Sequence, residues 1–367
     1  MAATEAPARR QRREHLARHS RHRSMTAHPP SPALAVATSV HNGERFLDAA
    51  IDSVLAQSFG DFEFLLLDDH STDGTAQIIA RHARRDRRIR VIPSLRKGRV
   101  AALNSLFDAA RAGWVAIVDG DDIQHPDRFA RQMAEIARRP DGERLVVLGA
   151  EVQMVGIDGQ PIARPAFRRP LDDPGIRANL EIGAQLSHNA CVVSRDAVRA
   201  VGGYRPAYRH AEDYDLWLRL SEAGSMANLP DRLVDYRIYP DQVSSRHVVE
   251  QMRNTAIAWL AHRARTAGLP DPTEHIATMP PLEELDAWFG EGAVRYVRRR
   301  ILDRVIYSPE ALSGDGWTAL RDHVRRDGAR GSRLWRAAAR LVRAGHPIKA
   351  STIAAGLIGV PGLSSGV

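Results

Sequence analysis

The stretch Trp114 to Phe129, WVAIVDGDDIQHPDRF, is an apolar run that stops abruptly in Asp119, Asp121 and Asp122 and restarts behind Pro126. Carboxylates crowded at the end of a buried strand repel one another and resist desolvation. That costs stability unless a cation or a donor-rich ligand sits among them. The stretch therefore predicts a strand whose end forms a binding rim. The residues around it decide what kind of sheet carries that rim.

Upstream, Leu34 to Val40 (LAVATSV) and Phe62 to Asp68 (FEFLLLD) are continuous apolar runs. Continuity, rather than alternation, is the mark of strands covered by helices on both faces. Between them Phe46, Leu47, Ala50, Ile51, Val54 and Leu55 recur at helical spacing, with Asn42 as the expected cap. Ile78 and Ile79 mark a second helix, Ile89 to Ile92 a third strand, and Val100 to Ala112 a third helix before the Trp114 strand. This β-α-β-α-β-α-β series predicts an α/β fold with a mostly parallel central sheet flanked by helices. Ligands of such sheets bind beyond the carboxyl ends of the strands. Three strands end at Ser39-Val40-His41-Asn42, at Asp68-Asp69 and at Asp119-Gly120-Asp121-Asp122.

Downstream the pattern is mixed. A hairpin of Leu145–Val155 with Pro161–Phe167 is expected, then a helix over Leu171–Ala184 and a strand over His188–Val193. An amphipathic helix over Ala211–Ala223 holds Glu212, Asp213 and Asp215 in its first turn, and Leu233–Tyr239 reads as a strand. From about His247, Arg-rich helical patterns separated by prolines take over. The expected division is a disordered basic tail (1–31), an α/β domain (32–246) and a helical C-terminal region (247–367).

At 367 residues, 44% hydrophobic and 26% charged, the chain has an ordinary globular composition. One cysteine, Cys191, excludes an internal disulfide and a thiolate-rich zinc site. The formal charge is +8, of which residues 1–31 hold +5 through seven arginines and two glutamates. That tail reads as a solvated extension without the apolar centre of a signal peptide, and Met25 is an alternative start to Met1. No apolar run reaches the roughly 18 residues needed to span a bilayer. The expected location is cytoplasmic, with the Arg-rich C-terminal helices allowing contact with the inner face of a membrane.

No G-x-G-x-x-G follows the first strand, where SVHNGE stands, and there is no G-x-x-x-x-G-K-[ST]. Both absences argue against a dehydrogenase or a P-loop NTPase. Asp121 and Asp122 are hard oxygen ligands of the kind that hold Mg²⁺ or Mn²⁺ beside substrate phosphates. Asp69 can accept hydrogen bonds from a base or sugar, and Lys97 and Arg99, flanking Gly98, can meet phosphate oxygens. Asp213 is a second candidate centre, although acids in a first helical turn also serve simply as a favourable helix start. Trp114, Trp217, Leu220 and Cys191 read as core, and His188 and Asn189 open a strand.

The segments SVHNGERFLDAAIDSVLAQSF, DFEFLLLDDHSTDGT, AIVDGDDIQHPDRF and HAEDYDLWLRL, in that order and spacing, resemble the family 2 glycosyltransferases of the GT-A fold. The likeness covers roughly Leu34 to Ser245. It implies that Ser39, His41, Asn42 and Glu44 line the nucleotide pocket, with His41 where the family has Tyr. It implies Asp69 as the reader of the nucleobase, Asp121 and Asp122 as the ribose and metal pair, and Asp213 as the catalytic base beside Glu212; Lys97, read above as a phosphate contact, then falls on the donor side. Asp119 then only supports the loop. Tyr239 stands where the family often has a His after Tyr236-Arg237. The absence of Q-x-x-R-W speaks against processive polymer synthesis.

The activity so implied is inverting transfer from a nucleotide-diphosphate sugar to a hydroxyl of a sugar or lipid-linked acceptor, in surface polysaccharide or glycoconjugate synthesis. Mn²⁺ or Mg²⁺ is the expected cofactor, and no nucleic-acid partner is expected. The helix dipole is expected to hold Asp213 ionised and to weaken it as a base. His41 and Tyr239 keep an alternative open, a non-catalytic nucleotide-sugar binder or scaffold in a polysaccharide complex. A sugar-nucleotide pyrophosphorylase is disfavoured, since no Gly-rich loop follows the first strand.

Overall fold

The computed structural model describes residues 31–139, 143–162, 168–239, 247–306, 312, 316–326, 328 and 331–358. The basic tail up to residue 30 lies outside them. The strands are β1 (Leu34–Val40), β2 (Phe62–Asp68), β3 (Ile89–Val91), β4 (Trp114–Ile117), β5 (Ile123–Gln124), β6 (Leu145–Val155), β7 (Val192–Ser194) and β8 (Ser225–Arg237). The helices that cover and extend them are α1 (Leu47–Leu55), α2 (Thr75–Arg85), α3 (Arg99–Ala109), α4 (Arg128–Arg138), α5 (Asp173–Asn179), α6 (Arg195–Ala200) and α7 (Glu212–Ala223). After them come α8 (Val248–Thr266), α9 (Leu285–Phe289), α10 (Ala293–Val305), α11 (Gly316–Arg325), α12 (Ser332–Arg343) and α13 (Pro347–Ile358).

The strands form one sheet in the order β3-β2-β1-β4-β7-β6-β8-β5. β1 runs parallel to β2 and β4, β2 to β3, and β6 to β8, while β4–β7, β6–β7 and β5–β8 are antiparallel. Alternate residues face opposite sides. Thus Leu34 and Val36 of β1 pack with Ile51 and Val54 of α1, and Ala35 and Ala37 pack on the other face with Leu103 and Leu106 of α3. Val40 pairs with Asp68, and Ala37 with Ile117. This register brings residues 41–44, 69 and 119–122 out on one rim.

Three sequence expectations meet the structure in part. Of the hairpin expected between Leu145–Val155 and Pro161–Phe167, the described residues hold the start: a bridge from Val155 to Pro161, and the Ile162 N–H on the Met154 carbonyl at 2.9 Å. Residues 163–167 lie outside the described part, and β6 also runs beside β8 along its length. His188–Ala190 is a 3₁₀ turn, and the strand starts only at Val192. The cause is visible in α4, where the Arg128 guanidinium takes the Asn189 carbonyl at 2.8 Å and the Gln132 amide takes the Ala190 carbonyl at 2.9 Å, so neither is free for a ladder. The expected helix over Leu171–Ala184 shortens to α5, capped by the Asp172 side chain on the Gly175 N–H.

The C-terminal helices join the main core rather than forming a separate one. Ile257 of α8 and Val297 and Ile301 of α10 belong to the cluster that buries Trp217 of α7. Polar links secure the joint: Glu222 of α7 meets His262 and Arg265 of α8, and Arg205 lies between Asp215 and Asp271. The chain from Ala33 onward is one compact unit. Cys191 is buried and unpaired, as its apolar setting predicts.

Candidate active site

The rim begins where β1 and β2 end. The His41 Nδ1–H donates to the Asp69 carbonyl at 2.8 Å. Asn42 sits in the left-handed region at φ 53°. Its side chain accepts the Thr72 N–H at 2.8 Å, and its own N–H reaches Ser71 Oγ at 2.9 Å. Asn42 therefore staples two loops and does not cap α1, which starts at Leu47 without a side-chain cap. Glu44 completes the staple by accepting the Gly74 N–H at 2.9 Å. Ser39 is half-buried opposite Leu67. Asp69 is buried, and both its oxygens accept the Gly98 N–H at 2.9 and 3.0 Å. Gly98 has φ 116°, which a β-carbon would oppose. Lys97, beside it, is exposed.

The Asp-Gly-Asp-Asp loop divides its carboxylates differently from the sequence reading. Asp122 is fully buried; Oδ1 accepts the Arg237 N–H at 2.8 Å and Oδ2 accepts the Asn189 amide. Both oxygens are committed inside the protein, which does not fit the metal role expected of Asp122. Asp119 keeps 24% of its side chain exposed, with Oδ1 accepting from Arg99 at 3.0 Å. Asp121 is half-buried and accepts the Tyr239 hydroxyl at 2.9 Å. Tyr239 thus occupies its departure from the family pattern by touching the same acidic pair. The pair turned outward is Asp119 with Asp121.

The electrostatics agree. Burial, followed by the Asp119 charge, raises the pKa of Asp121, and burial with both neighbours raises that of Asp122. Desolvation acts most strongly on Asp119 too, but the charge and hydrogen bond of Arg99, with the charge of Arg128 and other lowering influences, together exceed it and lower its pKa. Two reachable carboxylates, Asp119 kept ionised beside Arg99 and Asp121 with a raised pKa next to it, are an oxygen donor set that fits a hard divalent cation.

Beneath this loop lies a residue that the sequence reading passed over. Arg128 is completely buried at the start of α4. Its guanidinium donates to the carbonyls of Ile117, Asn189 and Cys191 and to the side chains of Gln124 and Gln132. Burial lowers its pKa to about 10, which still leaves it charged. A partial signal was available: Arg128 stands one residue before the apolar Phe129 and four before Gln132, so a helix face that buries Phe129 and Gln132 draws the guanidinium inward, where it has to find acceptors.

Opposite the acidic loop, α7 opens with Glu212 and Asp213. Asp213 is half-buried, with one oxygen accepting the Tyr214 N–H at 2.7 Å. Burial foremost, then the Glu212 charge, pushes its pKa up to about 6. This reverses the expectation of a base weakened by the helix dipole. Arg99 spans the gap, with Nε donating to Glu212 and Nη2 to Asp119, both at 3.0 Å. His188 lies beneath it, buried, with Arg99 at 3.4 Å from Nδ1 and the Tyr204 hydroxyl at 2.9 Å from Nε2. Burial and the Arg99 charge lower the His188 pKa to about 3. The ring is therefore neutral, accepts from Arg99 at Nδ1 and donates from Nε2.

Near the same helix start, His210, His247 and Glu250 hold their ligand atoms within 4.8 Å of one another. The two rings stack at 4.3 Å with 11° between planes. Their lone pairs lie in nearly parallel planes and do not converge on one ion.

The chain is similar to known proteins in sequence and in fold. Residues 35–171 match the family model for glycosyl transferase family 2. Over 280 residues the chain is 30% identical to EpsE of Bacillus subtilis, assigned to the glycosyltransferases, covering 74% of this chain and 96% of EpsE. WbnJ, an O-antigen biosynthesis glycosyltransferase of Escherichia coli, is 26% identical over 217 residues, 56% of this chain and 80% of WbnJ. The crystal structure of S. aureus TarS 1–349 superposes with a TM-score of 0.53 at 16% identity, covering 89% of this chain and 91% of that one. The fold is GT-A, and the chain belongs to glycosyltransferase family 2.

Proposed function

We propose that this chain transfers a sugar from a nucleotide-diphosphate sugar to an acceptor hydroxyl with inversion at the anomeric carbon, in the synthesis of a surface polysaccharide. The observation that carries the reading is Asp213, a carboxylate with a pKa of about 6 tied through Glu212 and Arg99 to the outward acidic pair. A base with a pKa near ambient pH is both ionised and strong enough to take a hydroxyl proton. The acceptor oxygen forms its bond to the anomeric carbon as its proton passes to Asp213. The bond from that carbon to the diphosphate oxygen breaks, and the nucleoside diphosphate leaves with the electron pair.

Asp119 and Asp121 are the residues that would hold Mn²⁺ or Mg²⁺, with Asp122 fixing the loop from inside. When bound, such an ion supplies charge neutralisation on the departing diphosphate. Asp69 and the loop residues His41, Asn42 and Glu44 shape the nucleotide side, and Lys97 is free to meet phosphate. TarS, with which the chain shares its fold, has been crystallised with UDP-GlcNAc, a donor of this class.

The test is a screen of nucleotide sugars with and without Mn²⁺, using wild type and Asp213→Asn. Donor binding by both, with transfer or donor turnover only by the wild type, is the expected result. Equal turnover by Asp213→Asn refutes the role of Asp213.

A further inference from the structure

The charge of this chain is more unevenly distributed than its net value shows. Residues 32–292 carry a net charge of −6, while residues 293–367 carry +9. The extreme is the end: residues 328–367 hold five arginines and one lysine and no carboxylate at all. Within that stretch α12 and α13 pack against each other, burying Leu334, Ala337 and Leu341 from one side and Ile353 and Leu357 from the other.

The outer face of α12 combines two stripes. Trp335 and Val342 lie seven residues apart and are 46% and 56% exposed. Arg336 and Arg343, each one residue further on, form a parallel basic stripe, and neither makes an ion pair among the described residues. Across the turn, Ile348 of α13 is 74% exposed. Large apolar side chains left in water beside unpaired guanidinium groups cost free energy that a soluble surface ordinarily avoids. No helix among the described residues is long and apolar enough to cross a membrane.

We propose that the α12–α13 hairpin is a docking surface for the anionic face of a phospholipid bilayer. Trp335, Val342 and Ile348 enter the headgroup boundary, and Arg336 and Arg343 meet lipid phosphates. A tryptophan beside a basic stripe, on a helix lying in the interface plane, is the pattern such binding uses. Each arginine near an anionic leaflet raises partitioning about five-fold, and the apolar side chains add to it. The aliphatic members favour lipid over a nucleic acid, whose phosphates would engage the arginines and leave Val342 and Ile348 in water. This surface does not depend on the role given to Asp213.

The experiment is co-sedimentation of the full chain with vesicles of phosphatidylcholine containing phosphatidylglycerol, and with neutral phosphatidylcholine vesicles. The wild type is expected to bind the anionic vesicles and to be released as salt shortens the Debye length. Arg336→Gln/Arg343→Gln and, separately, Trp335→Ser/Val342→Ser are each expected to lower partitioning about tenfold or more, with thermal midpoint and donor binding retained. Both variants keep the basic N-terminal tail, so any contribution from it remains in all samples. Wild-type partitioning by both variants, equal binding to neutral vesicles, or no binding by the wild type overturns the proposal. So does a change in self-association or RNA binding, rather than vesicle binding, in the variants.

Discussion

Arg99 and Glu212 lie 113 residues apart in sequence and are joined by a 3.0 Å hydrogen bond. Through the same guanidinium, Asp119 on the acidic loop is tied to the first turn of α7. Arg99→Gln is expected to raise the pKa of Asp213, since the Arg99 charge is among the influences lowering it. The acid limb of the pH profile for kcat/KM should move to higher pH. An unchanged limb would mean that Arg99 acts only as a structural tie.

Asp213 itself sets a pH dependence. With Asp213 as the base proposed above, transfer needs the ionised carboxylate, so activity should rise with pH through about 6 and then level off. Asp213→Asn should cost about 10²- to 10⁴-fold in kcat while donor binding persists.

The same group carries a stability signature of opposite sense. Its folded pKa is raised, so the unfolded chain ionises first as pH rises. The folded state therefore loses relative stability between the ordinary carboxylate range and about pH 6. Asp213→Asn removes that loss, and its thermal midpoint at pH 7 should exceed the wild type's. A lower midpoint would show that the carboxylate contributes more through its hydrogen bond than burial costs it.

Asp121 and Asp122 should separate cleanly. Asp121→Ala should abolish the metal dependence of donor binding at little cost in stability. Asp122→Ala leaves the Asn189 amide and the Arg237 N–H unpaired inside, at a cost of about 2–4 kcal/mol by the usual penalty for orphaned buried donors. Paired measurements of donor affinity with and without Mn²⁺, and of urea midpoints, decide between the two roles.

Arg128→Met should lower stability by about 3–5 kcal/mol, because five acceptors lose a buried charged donor at once. Urea unfolding measures it. A loss below about 1 kcal/mol would mean that the loop collapses onto the gap.

What the sequence made legible follows from what each signal depends on. β1, β2 and β4 were readable because both faces are buried, so their apolar character is continuous. α7 was readable from its own periodicity. The choice between Asp119 and Asp122 was not, because exposure there depends on Asn189 and Arg237, distant in sequence, reaching one carboxylate and not the other. The His188 turn was hidden for a similar reason: its residues look like a strand, and only Arg128 and Gln132 show why they are not one. The length of β8 was also hidden, since its pairing with β6 is non-local and its Pro230 and Asp231 resemble a loop.

Asp69 grips the N–H of Gly98, and the next residue, Arg99, grips Glu212 and Asp119. The two ends of the site are therefore one peptide apart. On the proposed roles of Asp69 and Asp213, altering position 69 to accept a different nucleotide also adjusts the first turn of the helix that carries the base. Donor choice and acceptor chemistry in this scaffold are best varied together, with libraries that pair position 69 with positions 99 and 212.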